Sequence, residues 1–192
     1  MAGKSLDPQV VTSAVLELMR EILSKITGMV QTQEPETKES EIVDYEGRMR
    51  VLGVEKFNAT SYVAVINFYL NERDMQKRSG TKGALVLYLD SENAGKLFKG
   101  LSIPFDEDED DGSMLNACSQ FAKLIGEAFK QRLTASGYSN LFMSEPDSFK
   151  NSLLEGVEFS PDQTTKQEFS FFYLKRKTIV VEVTFADIPK GR

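Results

Sequence analysis

The chain has 192 residues, 41% of them apolar and 27% charged, with no histidine, no tryptophan and one cysteine. The missing histidine excludes Ser-His-Asp and Cys-His catalysis, histidine acid–base chemistry and nearly every catalytic zinc site. The net charge of −6 resides in one run, DEDEDD at 106–111: without its six acids, 23 acidic residues balance 23 basic ones.

The length fits one domain over residues 1–192 with a real hydrophobic core. No basic stripe with interleaved aromatics is present, so nucleic acid is not an expected partner. No run of about 18 apolar residues occurs, so no membrane span is expected. The start, MAGKSLDPQ, does not read as a signal peptide, and a lone cysteine suits a reducing cytoplasm.

Asp7-Pro8 predicts a helix start, with Asp as cap and Pro as first helical residue. Val11, Ala14, Val15, Leu18, Met19, Ile22, Ile26 and Met29 then recur at helical period, toward an end near Gly28 or Val30. Residues 31–47 are polar and interrupted by proline, which predicts an exposed connection. Strands are expected over 49–57, 60–70 and 83–89. The last two are apolar on both alternating sets, as in a sheet covered on both faces. The charged insert 71–82 between them reads as a long exposed loop.

A short helix is expected from Ser91, then the acidic loop 106–111, then a long helix from about Ser113 to Ser136 closed by Gly137. A short strand near 139–145 leads to Pro146. The chain closes with a hairpin, 166–174 and 178–186, turning through KRK. Its last strand sets Ile179, Val181, Val183 and Phe185 on one face and Thr178, Glu182 and Thr184 on the other. This order predicts an α+β fold: a largely antiparallel sheet with a long N-terminal helix and a long central helix packed on it.

Two candidate sites fail on spacing. An EF-hand reading of DEDEDDG that puts Gly112 at loop position 6 leaves Cys118 where the bidentate glutamate belongs. The run therefore reads as a solvated loop whose charge favours the following helix N-terminus. MAGKS ends like a phosphate-binding loop but lacks the first glycine and the preceding strand. Cys118 lies on the apolar side of its helix with Leu115, Ala122 and Ile125, so it reads as a buried structural thiol.

The central helix should bury Cys118, Phe121, Ala122, Ile125, Ala128, Phe129 and Leu133. Its polar side carries Asn116, Gln120, Lys123, Glu127 and Lys130. By itself this row reads as a solvent face with local Lys–Glu pairs.

The spacing of that row resembles the CheC, CheX and FliY phosphatases of bacterial chemotaxis. Each of their active sites has Asp or Ser, three residues, Glu, two residues, Asn, twenty-two residues, Pro. Asn116, Gln120, Lys123 and Pro146 fall at those intervals. KLIGEAFKQRLTASGY resembles the family's helix, and SEPDSF its proline-containing segment. The resemblance spans about residues 8–186 and is detailed over 110–150.

The resemblance implies a cytoplasmic CheX-like protein whose central helix faces a response-regulator receiver domain, and it makes a homodimer through the sheet an expectation. In the family the glutamate pairs with the receiver's lysine and the asparagine amide orients the attacking water. Only the proline is retained here. Gln120 keeps the glutamate's shape and loses its charge. Lys123 has donors and no acceptor, so it cannot hold a water as an amide does. The expectation is a binding module in two-component signalling with no catalytic residue and no cofactor of its own, any Mg2+ arriving with the receiver. Gln120, Lys123 and Glu127 are the candidate binding residues. The alternatives are a residual aspartyl-phosphate phosphatase, a scaffold with a wet helix face, and a metal-binding protein using the acidic run.

Overall fold

The computed structural model describes residues 6–26, 33–106, 111–151 and 155–191. Asp7 caps the first helix, α1 (Pro8–Ser24): its carboxylate accepts the Gln9 N–H at 2.9 Å, and Pro8 sits where a missing N–H is harmless. The stripe Val11, Ala14, Val15, Leu18, Met19 and Ile22 is buried. The helix ends at Ser24, short of the expected stop; Gly28, Met29 and Val30 lie outside the described residues.

Residues 33–47 correct the expected connection. They hold strands β1 (Glu36–Glu41) and β2 (Asp44–Tyr45), nearly all exposed. A charged edge strand reads as a loop because its order comes from backbone pairing, not from an apolar face. The expected 49–57 strand is also corrected: β3 (Arg48–Val51) stops early and α2 (Val54–Phe57) is one helical turn. Gly53 lies at the change. A Cβ there would lie 1.9 Å from the Ser61 hydroxyl, and its N–H donates to the Asn151 side chain.

The strands β4 (Ser61–Tyr69) and β5 (Gly83–Asp90) follow as expected. The 71–82 insert is more than a loop, because Asn71 caps a short helix, α3 (Glu72–Lys77), by accepting the Asp74 N–H at 2.9 Å. Then come α4 (Ser91–Gly100) and α5 (Asp111–Ala135). Beyond them lie β6 (Phe142–Met143), β7 (Asp147–Asn151), β8 (Glu155–Val157), β9 (Thr165–Tyr173) and β10 (Arg176–Phe185). The β9–β10 turn is Leu174–Lys175, both at positive φ, so Arg176 and Lys177 belong to the strand and not to the turn.

The main sheet runs β1-β9-β10-β5-β4 with every pair antiparallel, and β6 and β7 share the far edge of β4. A small sheet, β2-β3-β8, stands apart from it. On one face of the main sheet, Ile66, Phe68, Leu87, Phe169 and Val181 pack with apolar residues of α1, α4 and α5. On the other, Val63, Val65, Val86, Tyr88 and Val180 pack with Met49, Val51 and Val157 of the small sheet. Two covered faces explain why β4 and β5 are apolar on both alternating sets. The architecture is the expected α+β one.

The polar set of β10 is buried as well. Glu182 is fully inaccessible and accepts from Lys56 Nζ at 2.6 Å, Lys166 Nζ at 2.8 Å and the Tyr88 hydroxyl at 2.6 Å. Lys56 also pairs with Glu168 and lies 5.3 Å over the Tyr88 ring. Burial alone would push the Glu182 carboxyl up; Lys166 and Lys56 outweigh it and hold it below the usual glutamate value. Burial would likewise lower Lys56, but Glu182 and Glu168 leave it raised. Two lysines and two glutamates thus neutralise one another under α2.

Candidate functional site

The long helix α5 buries Ala117, Cys118, Phe121, Ala122, Ile125, Gly126, Phe129 and Leu133. Ala128 is only half-buried. Burial pushes the Cys118 thiol up to about 12, as suits an inert core thiol. Asn116, Gln120 and Lys123 are exposed along the opposite face, and Glu127 and Lys130 are half-buried. Of the acidic run, 107–110 lie outside the described residues and Asp111 is the first residue of α5.

Three contacts stitch this face to the segment around Pro146. Near the helix start, Lys150 Nζ donates to both Asp111 oxygens, at 3.0 and 3.1 Å, and the Tyr62 hydroxyl donates to Asp111 Oδ1 at 3.2 Å. The hydrogen bond from Lys150 holds the Asp111 carboxyl below its usual value. About two turns on, the hydroxyls of Ser119 and Ser148 lie 2.7 Å apart, and Ser148 donates to the Leu115 carbonyl at 2.9 Å. Further along, Lys123 Nζ donates to both Glu145 oxygens at 2.9 Å. Residues 111, 119 and 123 thus meet 150, 148 and 145, so helix and segment run antiparallel.

Gly126 sets how closely they approach. A Cβ at that position would fall 2.6 Å from the Met143 sulfur and 2.7 Å from Ile66 Cδ1. The missing side chain lets β6 lie on the helix beside the core. The Ser144 N–H donates to the Asn67 carbonyl at 2.9 Å, the Ser144 hydroxyl accepts the Asn67 N–H at 3.0 Å, and β7 pairs with β4 from Asp147 onward. Glu145 and Pro146 therefore sit between two anchored points.

Of the positions singled out from sequence, Lys123 and Pro146 are brought together, through Glu145. Asn116 and Gln120 stay on the open helix face, and Glu127 pairs with Lys130 at 2.9 Å on the helix itself. Sequence reasoning missed Glu145, Ser119, Ser148 and Lys150. The only signal for Glu145 was its place beside Pro146; a partner twenty-two positions away cannot be read from periodicity. Among the described residues no group of three or more Cys, Asp or Glu side chains could hold a metal, and no helix is long and apolar enough to cross a membrane.

An antiparallel sheet with α1 and α5 on one face, and a proline segment stitched to the polar side of α5, defines the class. Comparison of the whole chain gives that class a name. A protein of Desulfovibrio vulgaris Hildenborough assigned to chemotaxis superimposes with a TM-score of 0.60 at 16% identity, over 94% of this chain and 99% of that one. Chemotaxis protein CheX from Vibrio vulnificus gives 0.54 at 10% identity, over 93% and 97%. CheX from Borrelia burgdorferi, in a complex with CheY, BeF3 and Mg2+, gives 0.53 at 14% identity, over 95% and 97%. The chain has the CheX/CheC-like fold. No protein-family model and no curated protein matches its sequence.

Proposed function

We propose that this chain is a non-catalytic CheX-like module of the bacterial cytoplasm that binds a response-regulator receiver domain through the outer face of α5. The fold supports a link to chemotaxis proteins, and the CheX–CheY complex among its structural neighbours supports a receiver as partner. The observation that carries the non-catalytic reading is Lys123. Its ammonium occupies the position from which the resemblance would have an amide hold water, and both Glu145 oxygens occupy it in turn. Three donors and no acceptor cannot orient a nucleophilic water through a lone pair. Loss of such positioning removes orders of magnitude in rate.

The test is the decay of a phosphorylated receiver, alone, with the native protein and with Gln120→Glu/Lys123→Asn. Decay unchanged by the native protein and accelerated by the variant is the expected result. Acceleration by the native protein overturns the non-catalytic reading and favours a residual phosphatase.

A further inference from the structure

Every charged side chain of α5 is answered from within the chain. Asp111 has Lys150, Lys123 has Glu145, Glu127 has Lys130, and Arg132 reaches Glu17 and Glu21 at 3.0 and 2.9 Å. What the middle of the face offers uncompensated is two exposed amides, Asn116 and Gln120. A helix row that sequence alone reads as cationic at position 123 is neutral in the folded chain.

From this we infer that Glu145 masks Lys123 and thereby weakens the attraction of the α5 face for a phosphoryl group on its partner. The inference rests on the reading of α5 as a docking face. A bare ammonium on a rigid helix is a point charge for phosphate. Here both carboxylate oxygens lie 2.9 Å from it, and the carboxylate is not on a free loop. Ser144 is bonded to Asn67 on one side of Glu145; on the other, Pro146 fixes its own φ and restricts Glu145, and β7 starts at Asp147. Backbone order on both sides keeps the carboxylate near the lysine, so an incoming anion competes with a tethered one.

Both groups remain open to water, at 49% and 80% side-chain exposure, so the mask is a modest one. An exposed pair of this kind shifts an equilibrium by up to about fivefold. The partner is then selected by shape and by hydrogen bonds to Asn116 and Gln120, and phosphorylation adds less to its affinity than it would beside a bare ammonium.

The test follows the backbone amide signals of α5 around position 123 by NMR, with the Lys123 ammonium signal where that lysine is present, during titration with inorganic phosphate. The proteins compared are native, Glu145→Gln and Glu145→Gln/Lys123→Ala. The expected result is a native phosphate affinity about three- to fivefold lower than that of Glu145→Gln, with no phosphate response at position 123 left in the double variant. A native response equal to that of Glu145→Gln, or no response in either, overturns the masking. A second arm measures a receiver with and without beryllofluoride. A preference for the loaded form that is larger in Glu145→Gln than in the native protein supports the inference, and an equal preference in the two overturns it. A receiver that binds neither protein overturns the docking reading, while the phosphate arm still judges the mask.

Discussion

Two lysine–glutamate contacts in this molecule share their chemistry and differ in their surroundings. Lys123 and Glu145 meet at the rim, both in water. Lys56 and Lys166 meet Glu182 between the main sheet and α2, where the glutamate is fully inaccessible and the lysines are 16% and 11% exposed. At the rim, solvent screens the attraction and would solvate either partner left alone, so the contact can be exchanged for a ligand. In the interior neither group can be left alone, so that contact is architecture. Burial, and not the pairing of residue types, decides which charges the protein can use.

The interior contact gives the largest expected effects. Glu182→Ala leaves the Lys166 ammonium and the Tyr88 hydroxyl without their acceptor and Lys56 with Glu168 alone. It should destabilise by about 3–5 kcal/mol, read as a lower midpoint in urea unfolding; a loss below about 1 kcal/mol would place the cluster in water after all. The pH dependence has a definite sign. Glu182 has a folded pKa below its ordinary 4.5, so its contribution is present above that value and is lost as pH falls through the folded pKa. Lys56 has a folded pKa above its ordinary 10.5, so its contribution is present below that value and is lost as pH rises through the folded pKa. The midpoint should therefore be flat between these limits and fall in acid, and Glu182→Gln should flatten the acid limb.

Packing between α5 and β6 comes next in size. Gly126→Ala drives a methyl against the Met143 sulfur and Ile66 Cδ1. Overpacking costs about 1–3 kcal/mol, against which alanine returns about 1 kcal/mol of helix propensity. A net loss of roughly 1 kcal/mol is expected, and shortening the thioether in Gly126→Ala/Met143→Ala should relieve the Met143 clash though not the one at Ile66. If Gly126→Ala proves stabilising, the helix and β6 can separate, and Glu145 is not held where the mask needs it.

The legibility of these features followed their physical range. Local patterns were readable: the Asp7-Pro8 start, the α1 stripe, both double-sided strands and the buried side of α5 all follow from a period or a cap. Gly53 and Gly126 were not, because each is a glycine for the sake of a neighbour distant in sequence, Ser61 and Asn151 in one case and Met143 and Ile66 in the other. The exposed strand β1 had no apolar face to announce it. Glu182 could be placed on the polar set of its strand, but its burial needed the small sheet and α2 above it. At the candidate site, Lys123 and Pro146 were singled out by their resemblance to the family's intervals, whereas Glu145, the partner of Lys123, emerged only from the fold.

The smallest effect sharpens the comparison most. A double-mutant cycle over Lys123→Ala and Glu145→Ala should give a coupling below about 1 kcal/mol, with each single change within about 0.5 kcal/mol. At ionic strengths of about 1 M, where the Debye length is about 3 Å, the coupling should shrink further. The same cycle over Lys56→Met and Glu182→Gln should give a larger value that salt moves less, since an inaccessible carboxylate is screened less than one in water. Were the rim coupling as large and as salt-resistant as the interior one, Lys123 would be a structural lysine. The α5 face would then have only its two amides to offer a partner.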